Sequence, residues 1–303
     1  MKKLFALITL TLLLFAPLGA KLRVVTTAGW LSDLVFQIGK DKVTVVLISD
    51  PRDDPHQILP LPSYIAATRN ADAVVYNGLF LEGAYLPKVV ESSRNRKVRP
   101  GAPGDIDCSA FVPRILEKAG SVGFVSGDEH PYGNPHYHLN PENIPPVVTG
   151  LAKRLGKIDP QNQDFYTANA GEFRGRLEAK IREWQAQSKI LHGEKLLEYH
   201  KMFEYLIDFT WMKLIGVLEP ASGIPPSLQH LGEIIELAKQ EKPRVLLTTC
   251  YFEDQSVKKV GRMTGVPYFK VPHDVGTLPE LKTYIDLMDY IIGNLHKIAG
   301  EGR

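Results

Sequence analysis

Nine histidines stand against two cysteines in a chain of 303 residues. That ratio makes imidazole, rather than thiolate, the ligand or switch chemistry the chain offers. Three histidines share one kind of place. His56 closes Asp53-Asp54-Pro55-His56, shortly after the apolar run 43–48, and Pro51 and Pro55 restrict the backbone around it. His200 follows Leu196-Leu197-Glu198-Tyr199. His273 and Asp274 follow the run 268–271 in Val271-Pro272-His273-Asp274-Val275-Gly276. Each group lies where a short apolar strand gives way to a loop, and open α/β sheets bind ligands in loops at the carboxyl ends of their strands. Taken singly, a loop histidine is usually a solvated side chain. The repeated placement is what points to a common site.

A denser group is Asn134-Pro135-His136-Tyr137-His138-Leu139-Asn140-Pro141. Two histidines at i and i+2 reach one ion only from extended backbone, since side chains alternate there. Asp128, Glu129 and His130 precede the group and add potential ligands. Asn140 before Pro141 has a second reading, as a helix cap. His192, His230 and His296 lack the strand-end placement and read as structural or solvated; His296 near the end of the last helix suits that helix's dipole.

The elements that must position these groups follow from periodicity. Residues 22–27, 43–48 and 73–76 read as buried strands separated by helical segments at 31–38 and 63–70. The alternation returns with strands at 195–199, 214–218, 245–249 and 268–271 and amphipathic helices at 228–240 and 254–264. Strand–helix–strand alternation argues for parallel α/β units, here in two lobes. Between them, residues 161–191 contain no proline, and Phe165, Ala168, Phe173, Leu177, Ile181 and Trp184 recur at helical spacing. Asp159-Pro160 supplies its start. At 1.5 Å per residue this helix would run about 45 Å, long enough for a strut between lobes. The expected division is a leader over 1–20, an N-terminal lobe over 21–160, a linking helix over 161–191 and a C-terminal lobe over 192–303.

Lys2 and Lys3, the apolar run 4–15 and the break at Pro17-Leu18-Gly19-Ala20 read as a cleaved secretory signal, too short to span a membrane. The two lysines account for the whole formal charge of +2, so the mature chain is neutral and nucleic acid is not an expected partner. A composition 44% hydrophobic and 23% charged excludes a disordered or collagen-like chain. Cys108 and Cys250 are far apart and read as two free thiols.

These features resemble the solute-binding receptors of ABC-type zinc and manganese importers, the ZnuA/TroA-like family. The likeness is carried by Asp41-Lys42-Val43 through Asp54-Pro55-His56, Pro62-Ser63, and Ala71-Asp72-Ala73-Val74-Val75-Tyr76-Asn77-Gly78. It continues through Asn134-Pro135-His136 with Leu139-Asn140-Pro141-Glu142-Asn143, then Leu155, Asp159-Pro160, Asn162, Tyr166, Asn169-Ala170 and Leu177. Tyr199-His200 with Phe203 and Tyr205 completes the ordered set. The resemblance implies two Rossmann-like lobes with parallel sheets, joined by one long rigid α-helix, with one metal ion in the interlobe cleft. It also implies His56, His136 and His200 as ligands. The fourth would be His273, which stands three residues before Gly276 where the family usually shows Asp, or Asp274 one residue later. His138 replaces an aromatic and is a wall residue or an accessory ligand; Cys250 stands near a place where an acidic residue is common.

Imidazole suits zinc, copper, iron and nickel, whereas oxygen-rich sites suit manganese. The expectation is therefore one tightly bound Zn2+, with manganese as the alternative metal. The implied setting is a periplasmic, monomeric receptor serving a membrane permease. A periplasmic zinc chaperone or buffer would carry the same site. A zinc hydrolase built on three histidines is a further alternative, but H-E-x-x-H is absent and no Glu stands at general-base spacing.

Overall fold

The computed structural model describes residues 20–116, 132–220, 224–252 and 254–301. Residues 1–19 of the expected leader and the Asp128-Glu129-His130 group lie outside the described residues. In chain order the elements are β1 (Leu22–Thr26), α1 (Gly29–Gly39), β2 (Val43–Leu47), α2 (Pro62–Arg69), β3 (Ala73–Tyr76), α3 (Leu86–Ser93), β4 (Asp105–Asp107), α4 (Ile144–Ile158) and α5 (Gln163–Ser188). They continue with β5 (Lys195–Glu198), α6 (Glu204–Thr210), β6 (Lys213–Val217), α7 (Leu228–Glu241), β7 (Val245–Thr249), α8 (Gln255–Thr264), β8 (Tyr268–Val271) and α9 (Tyr284–Gly300).

The strands form two four-stranded parallel sheets of identical order, β2-β1-β3-β4 and β6-β5-β7-β8. Two α/β lobes are thus observed, as the alternation of strand and helix patterns requires. β1 and β7 are buried along nearly their whole length because helices cover both faces of a parallel sheet. In each lobe the chain adds one strand to one side of β1 or β5 and the next strands to the other side, so the strand order reverses there. Their carboxyl ends release the loops that begin at Thr27 and Tyr199.

One irregularity has a positional effect. The β5–β6 register shifts between Leu196 and Leu197, so that Leu196 pairs with Leu214 but Leu197 with Gly216. An extra residue in one strand turns the following side chains to the opposite face. The ladder then continues past the strand, with Glu219 N–H donating to the Tyr199 carbonyl at 2.9 Å. Glu219 is thereby brought beside His200.

The long helix is α5, continuous for 26 residues and flanked by single 3-10 turns at Pro160–Asn162 and Lys189–Leu191. It buries Tyr166, Ala170, Phe173, Leu177, Ile181 and Trp184. Its partners are α4, α1 and α9. The core does not stop at the lobe boundary: one cluster of buried apolar residues includes Val24 and Leu34, Leu151, Phe173 and Trp184, and Leu196, Val271 and Ile291.

Candidate metal centre

Three of the expected ligands meet. The His56 and His136 ring centroids are 5.3 Å apart, and those of His56 and His200 are 6.3 Å apart. All three side chains belong to buried residues. His56 sits in the loop after β2, fixed by a local turn in which Asp54 Oδ1 accepts its backbone N–H at 3.0 Å. His136 opens a 3-10 turn, its N–H held by Asn134 Oδ1 at 2.8 Å. His200 follows β5, against Phe252 with ring centroids 5.2 Å apart. Among the described residues, no three His, Cys, Asp or Glu side chains stand as a finished metal-holding group. The imidazoles are neighbours across the interlobe boundary, short of a closed cage.

Carboxylates stand behind two of the rings. His56 Nδ1 donates to Asp54 Oδ1 at 2.7 Å, and His200 Nδ1 makes a short bond to Glu219 Oε2. A carbonyl or carboxylate on one ring nitrogen fixes the tautomer and orients the other toward a cation. Burial pushes the Asp54 carboxyl up, but the hydrogen bonds and charge of His56 outweigh it and hold it below its usual range. Neither carboxylate was singled out by sequence. Asp54 lies two residues from His56 and carried a readable local signal; Glu219 is reached only through the register shift in β5–β6.

His273 and Asp274 take different places. His273 is buried, its Nδ1 lies 3.8 Å from Cys250 Sγ, and its ring meets that of Tyr251 edge-on at 4.8 Å. Burial, followed by the neighbouring His138, lowers its pKa to about 3. His273 and His136 line a common cavity of about 30 Å³, room for a water-sized group. Both carboxylate oxygens of Asp274 are engaged instead: Oδ2 accepts Gly29 N–H and Oδ1 accepts Trp30 N–H, each at 2.7 Å. Asp274 therefore caps α1, whose own N-cap residue Ala28 has no side-chain acceptor. Burial raises its pKa to about 7 against the amide donors that favour the charged form.

His138 stands in the wall of the same cavity. Its ring stacks on Trp30 at 5.3 Å and 8°, and Nε2–H donates to the His273 carbonyl at 2.8 Å. Burial lowers its pKa to about 4. The remaining histidines lie elsewhere: His192 against Trp211, His230 bonded to the Val217 carbonyl, and His296 bonded to the Gln187 carbonyl. Cys108 and Cys250 are both free thiols, the first buried and the second at the rim beside His273.

The zinc-uptake complex component A (ZnuA) family model matches residues 24–298. The manganese ABC transporter substrate-binding lipoprotein PsaA of Streptococcus mitis is 26% identical over 292 residues, covering 94% of this chain and 90% of that one. Among solved structures, a crystal structure of ZnuA superposes with a TM-score of 0.77 at 21% identity, over 92% of this chain and 100% of that chain. FpvC of Pseudomonas aeruginosa, solved with Mn2+, gives 0.78 at 24% identity, over 93% and 100%. At these identities the superpositions establish the two-lobed fold.

Proposed function

We propose, from a chain that belongs to the ZnuA family of periplasmic zinc-uptake components, that His56, His136 and His200 capture one Zn2+ ion for delivery to the permease of an ABC importer. The family is one of binding receptors, and the chain is a receptor and not an enzyme. One observation carries the choice of site: imidazoles from both lobes meet where the strands of the two sheets end. Imidazoles sharing a tetrahedral zinc at about 2.0–2.1 Å have ring centroids roughly 5 Å apart. The 5.3 Å pair agrees with that spacing, and the 6.3 Å pair needs a small approach of His200.

His273 is the favoured fourth ligand, because Asp274 is committed to the end of α1. A ring turn that exchanges Cys250 for the ion would bring it in. An all-imidazole set suits zinc better than manganese, which takes oxygen-rich sites. The manganese-named relative keeps manganese as the second cation to measure.

Elemental analysis of the purified exported protein tests the reading: about one zinc per chain is expected, and loss of it in His200→Ala. Full zinc retained in that variant would exclude His200 as a ligand. Because only neutral imidazole binds the ion, affinity should fall as the solution is made acid. Zinc affinity that stays level from about pH 7.5 to 5.5 would rule out the histidine set.

A further inference from the structure

Asp54 and Glu219 stand outside the proposed ligand set, yet each bonds to the Nδ1 of a ligand ring. His56 Nδ1 donates to Asp54 Oδ1 at 2.7 Å, and the His56 backbone N–H donates to the same oxygen at 3.0 Å. The other oxygen, Oδ2, accepts from Gln57 Nε2 at 3.0 Å, so the carboxylate cannot swing away without breaking three bonds. Glu219 is buried, and its bond to His200 Nδ1 joins two side chains that are 5% and 3% exposed. The register shift in β5–β6 and the Glu219 N–H to Tyr199 carbonyl bond fix its position from the backbone.

We propose that Asp54 and Glu219 are positioning residues, which set His56 and His200 as Nδ1–H tautomers and balance the charge of a divalent cation from behind the rings. The proposal rests on the ligand reading above. A carboxylate only accepts, so a neutral ring donating through Nδ1 carries its lone pair on Nε2. That nitrogen then points away from the carboxylate and becomes the metal donor. The carboxylate also raises the ring's basicity as a ligand. Two carboxylates match the two charges of the ion, which makes a neutral fourth ligand such as His273 sufficient. A site balanced in this way favours divalent over monovalent cations.

Two measurements decide the matter. In the metal-free protein at about pH 8, where ordinary imidazole is neutral, long-range 1H–15N spectra of the histidine side chains should show His56 and His200 protonated at Nδ1. An Nε2–H tautomer at either ring overturns the proposal. Asp54→Asn and Glu219→Gln keep a carbonyl acceptor but remove the charge, and each should weaken zinc binding about 10–100-fold in a chelator competition. Glu219→Leu should also move His200 toward the Nε2–H form, which a merely structural role for Glu219 would not require. Unchanged zinc affinity in both amide variants overturns the charge-balancing role. If His200→Ala keeps its zinc, the ligand reading fails, while the Nδ1–H tautomer in the wild type still supports the positioning claim. Should a variant fail to fold, the wild-type spectrum alone supports or overturns the tautomer assignment.

Discussion

His138 is stacked on Trp30 and bonded to a backbone carbonyl, and burial keeps it neutral well into acid. Its folded pKa of about 4 lies below the ordinary value of 6.5. The stability it contributes is therefore fully present above about 6.5 and is lost as pH falls toward 4. His273, lowered to about 3, acts in the same direction. Asp274, raised to about 7, acts in the opposite one: its contribution is present below about 4 and lost as pH rises through 7. Burial also raises Asp33, Glu82, Asp107 and Glu198, which oppose the imidazoles, so the imidazole contribution to the slope of stability between about pH 6.5 and 4 is read from a single variant. Replacing His138 with Phe should keep the stack and reduce that slope by about 1.4 kcal/mol per pH unit, measured by urea unfolding. An unaltered slope would exclude His138 as a buried neutral base. At this scale the meeting of His56, His136 and His200 was legible because His56 and His200 follow apolar strands and His136 sits in a proline-bounded loop. The division of work between His273 and Asp274 was not legible, since adjacent residues on a loop project in different directions that only the fold determines.

Among the elements, α1 shows how a contact between distant segments sets the cleft. An alanine precedes the helix and its first turn has no acidic residue, so Asp274, from the other lobe, satisfies its leading amides. The approach is close enough that a Cβ on Gly29 would lie 2.0 Å from the Val275 carbonyl oxygen. Gly29→Val should therefore destabilise the protein by about 1–3 kcal/mol. It should also weaken zinc binding by displacing the neighbouring His273; a Tm and a zinc affinity equal to wild type would refute the close contact. This pairing could not be read from sequence, because it joins residues 245 positions apart. Local patterning fared better. The strands at 22–26, 43–47 and 245–249 are β-branched and apolar, and all three form. The three-residue β4, with an Asp at both ends, gives no apolar signal. The helix α4 opens on Pro145-Pro146, which look like breakers but occupy its first turn, where proline is tolerated. Over the stretch 161–191 the regular α-helix is α5, Gln163–Ser188, and the ends of the stretch are 3-10 turns.

The whole molecule is held by more than its strut. Besides the continuous core, Tyr284 N–H donates to Asp33 Oδ2 at 2.8 Å, Tyr284 OH to the His138 carbonyl at 2.6 Å, and Thr277 Oγ1–H to the Pro51 carbonyl at 3.0 Å. The last helix thus packs on α1 and α5 although its chain position belongs to the C-terminal lobe. Separating the lobes would expose buried apolar surface at roughly 25 cal/mol per Å², so a wide hinge motion is unfavourable. Small-angle scattering should show little change in radius of gyration on adding zinc, and calorimetry one cooperative transition instead of two; a large compaction would overturn the rigid joint. Shared burial across both lobes was foreshadowed by Phe173, Leu177, Ile181 and Trp184 of the expected stripe, whereas Ala168 is exposed and Tyr166 and Ala170 take the buried face; its extent depends on α4 and α9, which the pattern alone did not join to it. A body closed on both flanks has few ways to admit its cargo. For an ion held at the proposed site, entry and departure would fall to the loops around His56, His136 and Cys250, and its residence time would follow how often those loops part. A docking permease that shifted them by a few ångströms could release the cargo without prising the receptor open.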